Sequence, residues 1–295
     1  MNIGFVGDIH GRVLHAIALL AEWQQRTGRR LDLIIQVGDL GAYPNPDEKL
    51  LNEKYVRLDP AELDFSRMLK AEGELADRIR GLREHELNPI YFIRGNHEDF
   101  DWLDSISRHS SGTVTVDPFD LFRYIKDGTI MEVCGMKIAF LGGIQTKEHE
   151  QKSINPEAYE KLLRQPPGEI DILITHDAPY GIGTSYIGET QGSTLISQLI
   201  DNIQPKYAIG GHYHHRIGPK MYGSTTYLGL NVLIDLRKDG ALRQIKSGCM
   251  AVLDTESDHV DFVIDSWLSH IDKDFEFVSY MRKLGSHSLQ EGSNG

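Results

Sequence analysis

The chain is 295 residues long, with 40% hydrophobic and 25% charged residues, a balance that lets a globular chain bury a full core without disulfide staples. Its formal charge of -12 argues against broad, sequence-independent nucleic-acid binding, which needs a cationic surface, and its two cysteines, Cys134 and Cys249, are too few for a disulfide framework or a thiolate metal site. No apolar stretch approaches the roughly 20 residues that cross a bilayer, so the expected setting is cytoplasmic, with no membrane partner and no strong nucleic-acid partner.

The amino terminus, MNIGFVGDIHGR, has no basic start and only a short apolar run; it reads as a first strand over residues 2–7 rather than a signal peptide. A helix follows, with Val13, Ile17 and Leu20 as its apolar stripe and Gln24 on the same face. Residues 31–37 form the second apolar run. The next stretch is long for a crossover. Asn45-Pro46-Asp47 opens it, and from 63 to 87 Leu, Met and Ile recur at three- and four-residue steps among charges. It is expected to be a helical insertion at about 43–87, either a solvated helix covering the sheet or a lid over the site. Apolar runs at 89–93, 137–141, 171–175 and 207–209 read as further buried strands, with a helix over 193–203 stopped by Pro205. Strands alternating with helices indicate an α/β architecture. Over the last third, runs at 227–236, 245–254 and 259–264, joined by turn-rich pieces such as Lys238-Asp239-Gly240, predict antiparallel strands forming a second sheet. Residues 286–295 are small and polar and are expected to be a disordered tail, leaving 1–285 as a single domain.

Five of the strands deliver a metal-capable residue at their carboxyl end, the edge where open α/β sheets bind ligands. The strings are Asp8-Ile9-His10-Gly11, Gly38-Asp39, Gly95-Asn96-His97-Glu98, His176-Asp177 and Gly211-His212-Tyr213-His214. Taken singly, a Gly-Asp is a turn and a strand-end His is a hydrogen-bonded structural residue. Five in this order, flanked by glycines that let the backbone approach an ion, point to a metal cage. Carboxylate, imidazole and amide donors without thiolate suit Mn, Fe, Zn, Ni or Co. Two ions roughly 3.5–4 Å apart need a shared ligand, and a carboxylate is the natural bridge; such a pair polarises phosphoryl oxygens and activates water.

The string of GDIHG, GD, GNHE, a strand-end His and GHxH resembles the calcineurin-like metallophosphoesterase superfamily over about residues 8–214. The resemblance implies a four-layer α/β/β/α sandwich, two mixed sheets flanked by helices, with the site at one edge. It implies that Asp8, His10 and His214 hold one metal and Asn96, His176 and His212 the other, with Asp39 bridging. His97 would be catalytic, contacting the phosphate and protonating the leaving oxygen. The family often has a second Asp three residues after the bridging one; here that position is Ala42, and Asp99 or Asp177 could stand in as the acidic partner of His97. A more local resemblance, in Leu141-Gly142-Gly143-Ile144 and in 176–182, points to the RNA lariat debranching enzyme subgroup, although that enzyme commonly has Cys where this chain has Asp8.

Arg94 and Arg216 adjoin the motifs and are candidates for bidentate phosphate binding, and Tyr180 for stacking on a leaving group; surface pairing and packing are the alternatives. The expected activity is that of a dinuclear metal-dependent phosphoesterase, hydrolysing a phosphomonoester or phosphodiester through metal-activated water. Its ions would be two divalent metals, Mn first. Its substrate would be a small molecule, nucleotide or phosphoprotein. The rivals are a phosphoprotein phosphatase, supported by Arg94-Gly95-Asn96-His97-Glu98 but lacking a DRG motif, and a non-catalytic metal-binding scaffold.

Overall fold

The structure is a computed structural model describing residues 1–184, 188–235, 243–273 and 275–291. Along the chain, β1 (Asn2–Val6) leads into α1 (Val13–Thr27) and β2 (Leu33–Gln36). Helices α2 (Glu48–Leu51), α3 (Lys54–Leu58), α4 (Asp64–Leu69) and α5 (Gly73–His85) precede β3 (Ile90–Phe92) and α6 (Phe100–Ser107). Next come β4 (Thr113–Thr115), β5 (Phe122–Ile125), β6 (Ile130–Val133), β7 (Met136–Leu141), α7 (Pro156–Leu163) and β8 (Ile172–Thr175). A ribbon of β9 (Gly183–Thr184) and β10 (Thr190–Gln191) leads to α8 (Thr194–Ile203), β11 (Tyr207–Gly210), β12 (Ile217–Tyr222) and β13 (Thr225–Gly229). The chain ends with β14 (Met250–Asp254), β15 (His259–Phe262) and α9 (Phe277–Glu291).

The strands form two mixed sheets, ordered β15-β14-β1-β2-β3-β5-β4 and β12-β13-β11-β8-β7-β6. Side chains alternate across each strand, so apolar runs of the kind seen in β1, β2 and β8 supply two buried faces at once. Ile3, Phe5, Ile35, Phe140, Ile172 and Ile174 meet between the sheets. Val6 and Ile34 face the layer of α1, α4 and α5, while Leu173 and Ala208 face α7 and α8. Three apolar layers separate four structural ones, giving the expected α/β/β/α sandwich. Among the described residues, no helix is long and apolar enough to cross a membrane.

The last third departs from the expectation. β13 pairs parallel with β11 in the second sheet, but β14 crosses back to pair antiparallel with β1 in the first, and β15 follows it there. The reason is two-sided burial: Ala251 and Leu253 enter the layer between the sheets while Met250 and Val252 enter the helical layer, so β14 fits a central position. The run expected over 227–236 leaves the sheet at Gly229, and Lys238-Asp239-Gly240 lies outside the described residues.

The charged stretch 63–87 is two helices rather than one. A continuous helix would present Phe65, Met68, position 72, Ala76 and Ile79 on one stripe. Position 72 is Glu, which stays exposed in extended conformation, so the chain breaks there and α4 and α5 bury their apolar residues separately. The expected tail also differs, because α9 runs on to Glu291; residues 292–295 lie outside the described residues. At α8 the expected stop appears as Gln204 in left-handed conformation before Pro205, and Ser193 caps the start by accepting from the Ile196 N–H.

Candidate metal centre

In the first sheet β1, β2 and β3 are parallel neighbours, and in the second β8 and β11 are, so the residues that follow them emerge at common edges. Asp8, His10, Asp39 and His214 form a compact group whose donor atoms all lie within 4.8 Å of one another. His214 Nε2 is 3.1 Å from Asp8 Oδ2 and 3.1 Å from His10 Nε2, and His10 Nε2 is 3.8 Å from Asp39 Oδ2. On the other side of Asp39, His176 Nε2 lies 3.4 Å from Oδ1 and 3.1 Å from Asn96 Oδ1. The His212 ring stands 5.2 Å from the His176 ring. Donors about 2.1 Å from a common ion at right angles span edges of about 3 Å, so this spacing fits a divalent cation.

Asp39 is the hub. Its backbone carbonyl accepts the N–H groups of Ile9 and His10 at 3.1 and 2.9 Å. Its Oδ1 accepts those of Asn96 and His97 at 2.6 and 2.8 Å. One residue therefore fixes the loops after β1 and β3 relative to its own. Asp8 plays a smaller version of this role, accepting the His212 N–H at 3.0 Å. His10, Asp39, His212 and His214 all have positive φ (45, 54, 70 and 55°), a region costly for non-glycine residues and characteristic of functional sites.

Two glycines are required by close approach. A Cβ at Gly95 would lie 2.1 Å from Asp39 Oδ1, and one at Gly211 would lie 2.2 Å from Asp8 Oδ1. Gly211→Ala is accordingly expected to displace the Asp8 carboxylate and lower both Mn affinity and turnover, the latter by about 10²-fold, since ångström-scale misplacement costs that much. Metal titration alongside initial rates checks this; wild-type values for both would show that the approach is slack.

The electrostatics suit ligation. Burial works against the charge on Asp8 and Asp39, but the surrounding histidines outweigh it and both carboxyls stay below their usual range. Burial pushes His10 down to about 3, leaving a neutral imidazole with a free lone pair. His176 goes the other way: burial would lower it, yet the Asp39 and Asp8 carboxylates raise it to about 10.

His97 sits at the exposed mouth, its ring 5.2 Å from that of His10. Neither suggested acidic partner reaches its ring among the described residues. Asp99 caps α6 by accepting from Trp102, and Asp177 accepts from the Gln145 and Ala178 N–H groups. Arg94 departs from its expected role in phosphate binding. Its guanidinium is buried and committed to Asp127 and to the carbonyls of Gln151 and Ser153, because a buried cation must satisfy its donors. Arg216 lies over the Phe262 ring at 5.6 Å, and Tyr180 is 49% exposed, held through its backbone N–H to Ser193 and Ser197.

Two residues were missed at the sequence level. Glu98, fully buried, accepts from the Leu40 and Ala42 N–H groups at 2.8 and 2.7 Å and ties the loop after β3 to the loop after β2; burial and the Asp39 charge push its carboxyl up to about 8. Gln36 donates to the Gly7 carbonyl at 3.0 Å and accepts from the Gly38 N–H at 3.1 Å. Both left a signal: a Glu fixed to the Asn-His pair, and a lone amide inside an apolar run.

Two packed α/β sheets carrying a buried oxygen-and-nitrogen donor cluster at their strand ends define a metal-binding sandwich of the phosphoesterase class. The family model for calcineurin-like phosphoesterases matches residues 1–216, and the chain belongs to that family. It is similar to a lariat debranching enzyme from Entamoeba histolytica, 23% identical over 252 residues, covering 74% of this chain and 66% of that one. It is also similar to a UPF0046 protein from Caenorhabditis elegans, 23% identical over 142 residues, covering 46% of this chain and 49% of the other. The chain thus spans just under two thirds and about half of the length of these curated relatives. One crystal structure shares the fold with a TM-score of 0.52 at 14% identity, covering 90% of this chain and 99% of its own.

Proposed function

We propose that the chain is a dinuclear phosphoesterase in which Asp8, His10 and His214 hold one divalent ion, Asn96, His176 and His212 the other, and Asp39 both. The observation that carries this is the division of Asp39: Oδ2 faces the His10 side and Oδ1 the His176 side. When bound, the two ions supply Lewis acidity to the phosphoryl oxygens and lower the pKa of water. The protein's part is to hold the donors rigidly, through the Asp39 and Glu98 hydrogen bonds, and to offer His97 at the mouth as the group that protonates the leaving oxygen. The test is a substrate screen after reconstitution with Mn, run with and without chelator, comparing p-nitrophenyl phosphate with its bis-ester. Chelator-sensitive hydrolysis supports the reading; bound metal with no turnover of any phosphate ester supports a scaffold instead.

A phosphodiester is the second reading within this proposal, favoured by similarity to a relative named for debranching lariats. It predicts faster turnover of the bis-ester than of the monoester.

The raised His176 gives the metal uptake a sign. In the metal-free protein that imidazole keeps its proton up to about 10, and the proton must leave when an ion takes its place. Metal binding at neutral pH is expected to release about one proton per chain from this residue, so apparent affinity weakens about tenfold per unit as pH falls. Calorimetry in buffers of different ionisation enthalpy counts the proton, and a count of zero contradicts the assignment.

A further inference from the structure

The loop after β1 carries backbone strain at His10, whose φ of 45° is left-handed. Such a conformation persists only where its surroundings over-determine it. On one side of the loop the Asp39 carbonyl accepts the His10 N–H at 2.9 Å, and the Leu40 carbonyl accepts the Gly11 N–H at 2.6 Å. The other side is covered by the insertion. A 3-10 turn over Pro60–Leu63, between α3 and α4, lies so close that a Cβ on Gly11 would stand 1.8 Å from the Glu62 carbonyl oxygen.

Arg12 fastens that turn to the loop. It is 1% exposed, and its carbonyl accepts the Ala16 N–H at 3.1 Å at the start of α1. Its guanidinium reaches the insertion, where Nε donates to Asp59 Oδ2 at 3.1 Å and Nη2 to Glu62 Oε1 at 3.1 Å. Asp59 Oδ1 in turn accepts the Ala61 N–H at 3.0 Å, so one side chain holds both ends of the turn. The insertion is uneven to match. No residue of α2 is buried, whereas Asp59, Asp64, Phe65, Ser66 and Met68 are, and α4 packs on α1. The part that meets the metal loop is therefore built into the fold and is not a free flap.

We propose that Arg12 is a positioning residue for the metal centre. By clamping Pro60–Leu63 onto Gly11 it keeps His10 in its left-handed conformation, with Nε2 turned to Asp39 and His214. A buried ion pair is a weak source of net stability, which leaves a fixed geometry as its contribution here. This rests on the phosphoesterase reading, because it takes His10 as a metal ligand.

The test is a double-mutant cycle on the full chain, with Mn affinity read by calorimetry and folding by circular dichroism of the metal-free proteins. The clamp is removed by Arg12→Met/Asp59→Asn/Glu62→Gln, which takes out the charges together so that none stays buried alone. Arg12→Lys keeps a charge but lacks the fork that spans both carboxylates. It runs the same cycle with an expected several-fold loss and does not depend on the triple variant folding. In the wild-type background the triple variant is expected to weaken one Mn step about tenfold, as loss of a residue that orients a ligand does. In a His176→Ala background it weakens binding by the same factor, and in a His10→Ala background no further. Equal losses in the two backgrounds make Arg12 a general support of the fold and overturn the proposal, as does wild-type affinity in both clamp variants. A loss on His10→Ala with no coupling to Arg12 removes the clamp and leaves the ligand assignment standing. Unchanged affinity on His10→Ala itself removes that assignment and the clamp with it.

Discussion

Asp39→Asn is expected to reduce bound Mn from two equivalents to one and to lower kcat by about 10³-fold, the loss of several kcal/mol of metal-derived transition-state stabilisation. The geometry leaves the amide no good orientation. With its oxygen at the Oδ1 position it keeps the bonds from Asn96 and His97 N–H but turns an N–H2 donor toward His10. With its oxygen at the Oδ2 position it sets that donor against two backbone N–H groups and turns it toward His176 Nε2. Either way one ion loses a ligand. The backbone carbonyl still holds Ile9 and His10, so the fold survives and the effect is read at the site. Metal analysis after gel filtration, with rates on the best ester of the screen, decides it; two retained equivalents with activity within tenfold of wild type would remove Asp39 from the bridging role.

His97→Ala separates an enzyme from a scaffold. The described hydrogen bond of His97 runs from its backbone N–H to Asp39, and alanine keeps that bond. Metal content should therefore be unchanged while kcat falls about 10²–10⁴-fold, the usual contribution of a general acid. The loss should be largest for esters with poorly acidic leaving groups and small for p-nitrophenolate, which leaves without help. A uniform loss across leaving groups would make His97 a phosphate contact rather than a proton donor, and no loss would favour the scaffold.

Much of this centre was legible because its information is local. A strand that ends in a glycine and a polar residue announces that residue at the sheet edge; five such ends, read together with the family resemblance, made Asp8, His10, Asp39, Asn96, His176, His212 and His214 the candidate ligands. What the pattern does not carry is where a side chain turns once it leaves the strand. Arg94 sits beside Asn96 in sequence but buries itself against Asp127 and two carbonyls. Glu98 was passed over because its partners, the Leu40 and Ala42 N–H groups, come from another loop. The same limit explains β14, whose apolar residues fit either sheet on pattern alone and whose partner, β1, lies more than two hundred residues away. The break at Glu72 was readable in principle, as a charge on an otherwise apolar stripe.

Anomalous scattering at the manganese edge from crystals grown with the metal would probe the arrangement most directly. Two peaks roughly 3.5–4 Å apart, with Asp39 between them, His10 and His214 on one side and Asn96 and His176 on the other, are predicted. A single peak at Asp8, or density elsewhere on the surface with the carboxylate of Asp39 touching only backbone N–H groups, would contradict the dinuclear account.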